Sequence, residues 1–251
     1  MQNLQGETVI FFGATGGIGE TICSELQKAG ANIVLVARNA DKLAALKTEL
    51  ELAQRSRSEV GEKNILAISA DAGNVADVQK VFRESKEKFG EISAVVISVG
   101  TWVRTSIKNT PEEIISTNDK LEASIAKPVI VVGSVAQEVL REQGKGVIFN
   151  MSSHVADMYK QGNLAYASAK AKSSRFIVNL GEELKGTGVS TCDLRPALVD
   201  TPQNREGLPQ FSELDWAKAV QPIGIAEFIT ENIGSENIPA IKFFESGIEA
   251  E

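Results

Sequence analysis

Seven short apolar runs, rich in β-branched residues and separated by longer amphipathic stretches, dominate the pattern of this chain. They cover residues 8–12, 32–37, 65–69, 94–98, 147–151, 189–194 and 240–244. Runs without polar alternation are typical of parallel strands that are buried on both faces. Strands that alternate with helices predict one α/β domain over residues 1–251, a doubly wound parallel sheet of about seven strands flanked by helices.

The stretches between the runs carry apolar residues every three or four positions, which predicts amphipathic helices such as one over 41–57. The segment 128–141 is apolar on nearly every side, and its β-branched residues 129–132 would also suit a strand. Its place in the alternation favours a helix, buried either in the core of the monomer or partly against a second subunit. Residues 202–220, a long segment after the sixth run, are predicted to form a mobile lid over a substrate.

The composition of the chain limits the partners that it can bind. It has 251 residues and a formal net charge of −7, which argues against nucleic acid or an anionic membrane as the main partner. Cys23, Cys192 and the single histidine cannot supply a zinc site of Cys and His ligands, so no metal is expected. No signal sequence and no apolar run of the roughly 20 residues that a membrane span needs is apparent. A soluble cytoplasmic protein with reduced thiols is therefore expected.

A glycine-rich turn follows the first apolar run and precedes a stretch with helical periodicity. Glycines permit a tight turn and a close approach of the backbone to phosphate. The first amides of the following helix add hydrogen-bond donors and the positive end of the helix dipole. This arrangement predicts a dinucleotide-binding site. Its candidate contacts are Gly13, Thr15, Gly16, Gly17, Ile18 and Gly19.

Tyr166 and Lys170 form a second candidate site, because the helix-forming alanines around them place both side chains on one helix face. A cation beside the phenol is expected to lower its pKa from about 10, so that Tyr166 can exchange a proton near neutrality. Ser153, thirteen residues earlier, could hold a carbonyl oxygen. The alternative is that Tyr166 and Lys170 are one solvated face of an ordinary helix.

Together these motifs resemble the short-chain dehydrogenase/reductase family over nearly the whole chain. The glycines match its G-x-x-x-G-x-G spacing, and Ser153, Tyr166 and Lys170 match its serine and Y-x-x-x-K motif. The resemblance implies a Rossmann fold and hydride transfer between a nicotinamide cofactor and a carbonyl or alcohol. It also implies that Tyr166 is the general acid or base, that Lys170 lowers its pKa and binds the nicotinamide ribose, and that Ser153 orients the carbonyl.

The chain departs from the family pattern where its first and fourth strands end. Phe12 stands where the family usually has threonine, and Ile97-Ser98-Val99-Gly100 stands where it commonly has Asn-Asn-Ala-Gly. In the family these polar residues tie the two strands together by hydrogen bonds. Because both partners are lost, neither is left unpaired, and apolar packing is expected in their place. Gly100 still permits the backbone to approach a cofactor.

The family's fourth catalytic residue, an asparagine, has no clear counterpart. Asn118 is the nearest candidate for this proton-relay role, but it lies further before Ser153 than the family spacing. Counting back from Ser153 reaches Ser124 or Ile125 instead.

Further cofactor contacts follow from the resemblance. The candidates are Asp71, Ala72, Gly100, Tyr166, Lys170, Pro196, Val199 and Thr201. The last three lie in a segment that resembles the family's P-G-x-V-x-T on the nicotinamide side, with Ala197 replacing the glycine. Asp71 matches an aspartate beside the adenine, although it could instead be a loop residue or the cap of the next helix.

The residues at the end of the second run predict the type of cofactor. An NAD-selective site usually has an acid there, which binds the ribose hydroxyls and would repel a 2′-phosphate. This chain has Ala37 followed by Arg38, whose guanidinium can pair with phosphate and stack beside adenine. Gly16 stands where many NADP-using relatives carry a second basic residue, so a moderate preference for NADP(H) over NAD(H) is expected. The alternative is that Arg38 is a surface residue at the start of the next helix.

Three functions remain open from the sequence. The leading one is an NADP(H)-dependent oxidoreductase acting on a small carbonyl or alcohol. A narrower one is a 3-oxoacyl-thioester reductase of fatty-acid type, which would need a basic docking patch. The third is a non-catalytic dinucleotide-binding sensor or scaffold. The departures at Phe12, Ile97 and Asn118 favour this function a little, but the intact Ser-Tyr-Lys set favours catalysis more.

A homodimer or homotetramer is expected, joined through the helices around 129–140 and 165–184, because their apolar sides carry too few charges to face water. His154 could contact a substrate or serve as a structural side chain.

Overall fold

The structure is a computed structural model that describes residues 3–55, 64–235 and 237–248. Within these residues seven strands form one sheet, with every pairing parallel. The strands are β1 Thr8–Phe12, β2 Asn32–Ala37, β3 Ile65–Ser69, β4 Ala94–Ile97, β5 Gly146–Met151, β6 Val189–Pro196 and β7 Ile241–Phe244. Their order is β3-β2-β1-β4-β5-β6-β7, so the direction of winding reverses between β1 and β4. The predicted doubly wound sheet is confirmed.

Nine α-helices connect the strands in the described part of the chain. They are α1 Gly17–Lys28, α2 Ala40–Arg55, α3 Val75–Phe89, α4 Pro111–Leu121, α5 Lys127–Gln143, α6 Leu164–Glu183, α7 Pro202–Gly207, α8 Glu213–Lys218 and α9 Pro222–Asn232. The helix predicted over 41–57 corresponds to α2, and its last two predicted residues lie outside the described ranges. Residues 129–132 are helical, as their place in the alternation predicted.

The two faces of the sheet support two separate hydrophobic cores. Along β1, Val9 and Phe11 face the core that contains α1, α2 and α9, whereas Ile10 and Phe12 face the core that contains α3, α5 and α6. All four side chains are fully buried, because successive side chains of a strand point to opposite faces and helices cover both.

The apolar side of α5 is buried inside the subunit. Val129, Val132, Ala136 and Leu140 are each at most 2% exposed and belong to the core beneath α3 and α6. The core of the monomer therefore covers these positions, as the core-helix alternative expected, and burial of the rest of α5 by a second subunit stays a prediction. The oligomeric state itself stays a prediction.

The helix over residues 111–143 is long and apolar enough, by length and composition alone, to cross a membrane. It joins α4 and α5 through a π-helical segment, Glu122–Ala126. Half of its most apolar window is buried in the fold. A core helix of a globular domain meets the same criterion, so this is weak evidence for a membrane span.

Apolar packing replaces polar ties between β1 and β4, as the sequence predicted. Phe12 and Ile97 are register partners in the two strands, and both are fully buried in the same core. The ring of Phe82 from α3 lies 6.4 Å from that of Phe12, centroid to centroid. β1 and β4 thus remain packed together despite these departures from the family pattern.

The predicted lid over 202–220 contains α7 and α8. Trp216 is 2% exposed, and the Arg205 guanidinium forms ion pairs with Asp200 and Glu213. These contacts give the segment its own packing. Its closure over a substrate stays a prediction.

Candidate active site

The candidate site lies at the carboxyl ends of β1, β4 and β5, beside the point where the sheet reverses its winding. Open α/β sheets bind ligands in the crevice at such a point. The glycine turn leaves β1 here, the loop that begins with Ser98 leaves β4, and Ser152 and Ser153 leave β5. The topology therefore brings together the motifs that the sequence separated.

The glycine turn cannot accommodate side chains at two of its positions. Gly13 has φ +90°, and a Cβ there would lie 2.0 Å from the carbonyl oxygen of Ser98. A Cβ on Gly19 would lie 2.5 Å from the carbonyl oxygen of Gly13. These glycines let β1, α1 and the loop after β4 approach one another, which leaves a narrow backbone-lined cradle.

The first turn of α1 is the candidate anion site of this cradle. Gly16 is the N-cap and supplies no capping side chain, so the first amides of the helix depend on other acceptors. Thr15 and Ile18 are half-buried beside them. A Cβ on Gly17 would lie 3.1 Å from Cβ of Thr201, so Thr201, directly before the predicted lid, packs on this turn. A pyrophosphate fits such an uncapped, backbone-lined helix start.

Of the two serines after β5, the structure favours Ser153 as the one that faces the site. Ser152 is 4% exposed, whereas Ser153 is half-buried and caps a short 3-10 turn, His154–Ala156. The Ser153 hydroxyl also forms a hydrogen bond with the Tyr166 phenol. The sequence-predicted pair of Ser153 and Tyr166 is thus in contact.

Lys170 lies one turn after Tyr166 on α6 and points toward the sheet. Its Nζ donates a 2.7 Å hydrogen bond to the Met151 carbonyl of β5 and lies 5.8 Å from the centroid of the Tyr166 ring. Lys170 is 6% exposed. The alternative of a solvated helix face was therefore wrong, because both side chains are directed into the fold.

The ionisation of this pair differs from the sequence expectation. Burial raises the pKa of Tyr166 to about 12, and the hydrogen bond with Ser153 opposes that rise. Burial lowers the pKa of Lys170 to about 8, and the negative charge of Asp193 on β6 opposes that fall. The net effect on Tyr166 is a rise in its pKa, because burial of the phenol is the larger effect, and the expected contribution of Lys170 stays a prediction.

Asn118 and Ile125 occupy different places along the helix from α4 to α5. Ile125 is fully buried in a small cluster against which Tyr166 packs, and its side chain fills the space left by Gly100. Asn118 lies seven residues earlier, about 10 Å along the helix axis at the usual rise per residue. None of the described hydrogen bonds joins it to Ser153, Tyr166 or Lys170, so its relay role stays a prediction.

Candidate adenine-side contacts line the carboxyl ends of β2 and β3. Arg38 is exposed, and its guanidinium has no ion pair among the described residues. The Ser69 hydroxyl donates to the Arg38 carbonyl at 3.1 Å, which joins the two loops. Asp71 accepts from the Gly73 amide at 2.9 Å. Asn74 caps α3, so Asp71 is not the cap of this helix. Ala72, the other candidate contact here, is half-buried and lies between these two residues in the chain.

Residues after β6 cover the other end of the cradle. Pro196 ends β6, and Val199 is 4% exposed, with its carbonyl accepting from Asn204 Nδ2 at 2.8 Å. Thr201 is 6% exposed and caps α7. These positions suit the nicotinamide-side role that the resemblance implies, and that role stays a prediction.

His154 has structural partners in β7 and directly after it. Its Nε2 lies 3.1 Å from a carboxylate oxygen of Glu245, and its ring packs edge-on against Phe243 at 5.8 Å. The structural alternative for His154 is therefore the one that its contacts support.

Sequence reasoning missed Asp193 and Arg195, two charged residues inside a strand. Asp193 is fully buried and Arg195 is 4% exposed, and the Arg195 Nε donates to Asp193 at 2.7 Å. The available signal was a pair of opposite charges two positions apart in an apolar run, which places them on one face of the strand. Elsewhere in the described chain, no group of three or more His, Cys, Asp or Glu residues is placed to hold a metal ion.

Comparison with known proteins shows the family of this chain. A family model described as short chain dehydrogenase matches residues 7–210. A short chain dehydrogenase of Pseudocercospora fijiensis is 28% identical over 198 residues, which cover 79% of this chain but 61% of that protein, so the chain spans about three fifths of this relative. An uncharacterised oxidoreductase of Staphylococcus haemolyticus is 26% identical over 229 residues, 91% of each chain.

A solved structure extends the likeness to the fold. The 3-ketoacyl-(acyl-carrier-protein) reductase from Brucella melitensis, complexed with NADH, has a TM-score of 0.77 and 21% identity over 95% of this chain and 96% of that chain. At this identity the likeness shows the fold alone. Because the family model covers most of the chain, this protein belongs to the short-chain dehydrogenase/reductase family of oxidoreductases.

Proposed function

We propose that this protein is an NADP(H)-dependent oxidoreductase that interconverts a carbonyl compound and its alcohol. The observation that carries the proposal is the convergence of Ser153, Tyr166 and Lys170 beside an uncapped glycine-rich helix start. A reduced nicotinamide, when bound, supplies the hydride. The protein supplies a backbone cradle, a group that holds the carbonyl oxygen and a proton donor.

In the direction of reduction, Tyr166 gives its phenolic proton to the carbonyl oxygen as the carbon is reduced. With a pKa of about 12 the phenol is protonated near neutral pH and is ready to act as an acid. Ser153 donates to the same oxygen and orients it. The ammonium of Lys170 lies beneath the Tyr166 ring, so it stabilises the phenolate that forms.

Exposed apolar side chains in the loops after β4 and β5 favour a substrate with apolar bulk. Trp102, in the loop after β4, is 47% exposed, and its Nε1 donates to Oδ1 of Asn163 at 2.8 Å, just before α6 begins. Met158, in the loop after β5, is 53% exposed. Exposed apolar side chains on the loops around an active site commonly contact a ligand.

The test is turnover by the purified protein with NADPH against aliphatic, cyclic and aromatic ketones, aldehydes and acyl thioesters. Bulky apolar ketones are expected to be reduced fastest. Tyr166→Phe removes the proton with little change of shape, so kcat is expected to fall by about 10²–10⁴-fold while cofactor still binds. Tyr159→Phe is the matched control, because this phenol is exposed and lies outside the catalytic group, and it is expected to retain turnover.

A Tyr166→Phe variant within a few-fold of the parent rate would reject Tyr166 as the acid. Cofactor binding without turnover of any substrate would instead favour the sensor or scaffold. The likeness to the Brucella reductase does not by itself select acyl thioesters, so turnover of these alone would revise the proposed substrate class.

A further inference from the structure

A buried polar network lies beneath the candidate site, centred on Asp193 of β6. One carboxylate oxygen accepts from Nδ2 of Asn150 at 2.6 Å, and the other accepts from Nε of Arg195 at 2.7 Å and from the hydroxyl of Ser174. All three partners donate, which suits an ionised carboxylate. A buried ion is unfavourable unless it is well paired, and this carboxylate is paired on both oxygens.

Two partners of Asp193 lie on the elements that hold Lys170, one on its helix and one on the strand that binds its ammonium. Ser174 lies one turn after Lys170 on α6. Asn150 immediately precedes Met151, whose carbonyl accepts from the Lys170 Nζ at 2.7 Å. A single carboxylate thus fixes the helical turn that carries the lysine and the strand that binds its ammonium.

Arg195 extends the network toward the Ser153 loop. Its guanidinium donates to the Ser174 hydroxyl at 2.6 Å and pairs with Asp157, which directly follows the 3-10 turn capped by Ser153. The Phe243 ring covers the guanidinium at 5.5 Å. The loop that carries the serine and the helix that carries the lysine are therefore joined through one ion pair.

The charge of Asp193 also bears directly on Lys170. Among the described residues, the Lys170 ammonium contacts the Tyr166 ring on its own helix and the Met151 carbonyl on β5, and the charge of Asp193 on β6 acts on it from beyond ion-pair distance. Burial lowers the pKa of Lys170 to about 8, and the Asp193 charge opposes this fall. Burial raises the pKa of Asp193 itself, whereas Ser174, Asn150 and Lys170 favour its ionised form.

We propose that Asp193 is a positioning residue for Lys170, which with Arg195 and Ser174 holds the ammonium in place and keeps it charged beneath Tyr166. The catalytic meaning of this arrangement rests on the proposed function, but the effect on Lys170 is a property of the fold. It can therefore be measured with and without turnover.

The test compares Asp193→Asn with Thr191→Val. Thr191 is a buried residue of the same strand whose hydroxyl also bonds α6, at the Ile177 carbonyl, but it lies outside the network. Both variants lose a buried polar tie, whereas Asp193→Asn alone loses the charge. The first readout is the titration of Lys170 in ¹³C-lysine-labelled protein by NMR, assigned with Lys170→Met. The second is the pH profile of kcat/KM for carbonyl reduction.

In Asp193→Asn the Lys170 titration is expected to fall by about one pH unit, because a nearby opposite charge has been removed. The alkaline limb of kcat/KM, where Lys170 loses its proton, is expected to move to lower pH with it. Thr191→Val is expected to lose stability without either shift. An unchanged Lys170 titration in Asp193→Asn, or the same shift in Thr191→Val, would overturn the inference.

A second variant covers the case in which Asp193→Asn does not fold because Arg195 has lost its buried carboxylate partner. Asp193→Asn with Arg195→Gln removes both charges and keeps hydrogen-bonding groups, and a smaller shift in the same direction is expected. No shift in that double variant would also overturn the inference. Absence of turnover in the parent would reject the proposed function, while the NMR titration would still decide the role of Asp193.

Discussion

Arg38 provides the sharpest test of cofactor choice at the scale of single residues. Its guanidinium is exposed at the carboxyl end of β2, and Ala37 before it carries no charge that would repel a phosphate. In Arg38→Ala the ratio of kcat/KM for NADPH over NADH is expected to fall roughly ten- to a hundredfold, the range for one charge-assisted contact of about 1.5–3 kcal/mol. Steady-state kinetics with each cofactor measure the ratio.

Arg83→Ala is the control, because Arg83 is an exposed arginine on α3, away from the end of β2. It is expected to leave the ratio unchanged. Equal efficiency with NADPH and NADH in the parent, or an unaltered ratio in Arg38→Ala, would exclude Arg38 as the selector. The Brucella reductase, whose structure contains NADH, makes this comparison worth early attention.

Local spacing predicts the catalytic side chains well but not their ionisation. Tyr166 and Lys170 share a helix face because the helical period depends on neighbouring residues alone. The pKa of each depends on burial, which is produced by the packing of α6 onto the sheet and is not encoded by spacing. Asp193 escaped notice for the same reason, since only the pairing of β5 with β6 brings it near Lys170.

At the scale of elements, the junction of β1 with the loop after β4 depends on the missing side chain of Gly13. In Gly13→Ala the new Cβ would meet the Ser98 carbonyl at 2.0 Å, in addition to the strain of φ +90°. Gly90→Ala is a matched control, because Gly90 has φ +81° and no atom within 4 Å of the added Cβ. Denaturant unfolding is expected to show a loss of about 1–2 kcal/mol for Gly90→Ala and a larger loss for Gly13→Ala.

A Gly13→Ala variant as stable as Gly90→Ala would show that the junction relaxes and that contact with Ser98 does not constrain the turn. Tight cofactor binding by that variant would further show that the cradle tolerates a side chain there.

The helix from α4 to α5 shows where periodic reasoning fails. A π-helical segment contains an extra residue per turn, so the helix faces before and after Glu122–Ala126 are out of register. The sequence pattern placed the strands and most helices because each is a local periodic signal. It could not place Asn118 and Ile125 relative to Tyr166, since that relation depends on the insertion.

At the scale of the whole molecule, we still expect a homo-oligomer, but fewer exposed apolar residues support it than the sequence suggested. The inward sides of α5 and α6 are buried in the subunit, but Ile115 on α4 is 61% exposed and Leu164 at the start of α6 is 47% exposed. Exposed apolar side chains on these two helices favour a symmetric contact between subunits. Light scattering is expected to give at least twice the chain mass of 26.9 kDa.

Ile115→Glu is expected to shift the mass toward that of a single chain, because a charge would be placed in the contact. Leu52→Glu on α2 is the control, since Leu52 is similarly exposed, at 58%, on a different helix. A parent mass of one chain at micromolar concentration would refute the oligomer, and equal effects of the two variants would refute the surface.

β7 packs against the loop after β5 that carries Ser153 and His154. This packing has a consequence for synthesis on the ribosome, where N-terminal segments emerge first. The glycine turn and Arg38 emerge before Phe243, which covers Arg195, and before Glu245, which pairs with His154. A nascent chain that lacks Phe243 and Glu245 already contains the glycine turn, but not the residues that pack against Arg195 and His154. The capacity to bind cofactor is therefore expected to precede the capacity for proton transfer.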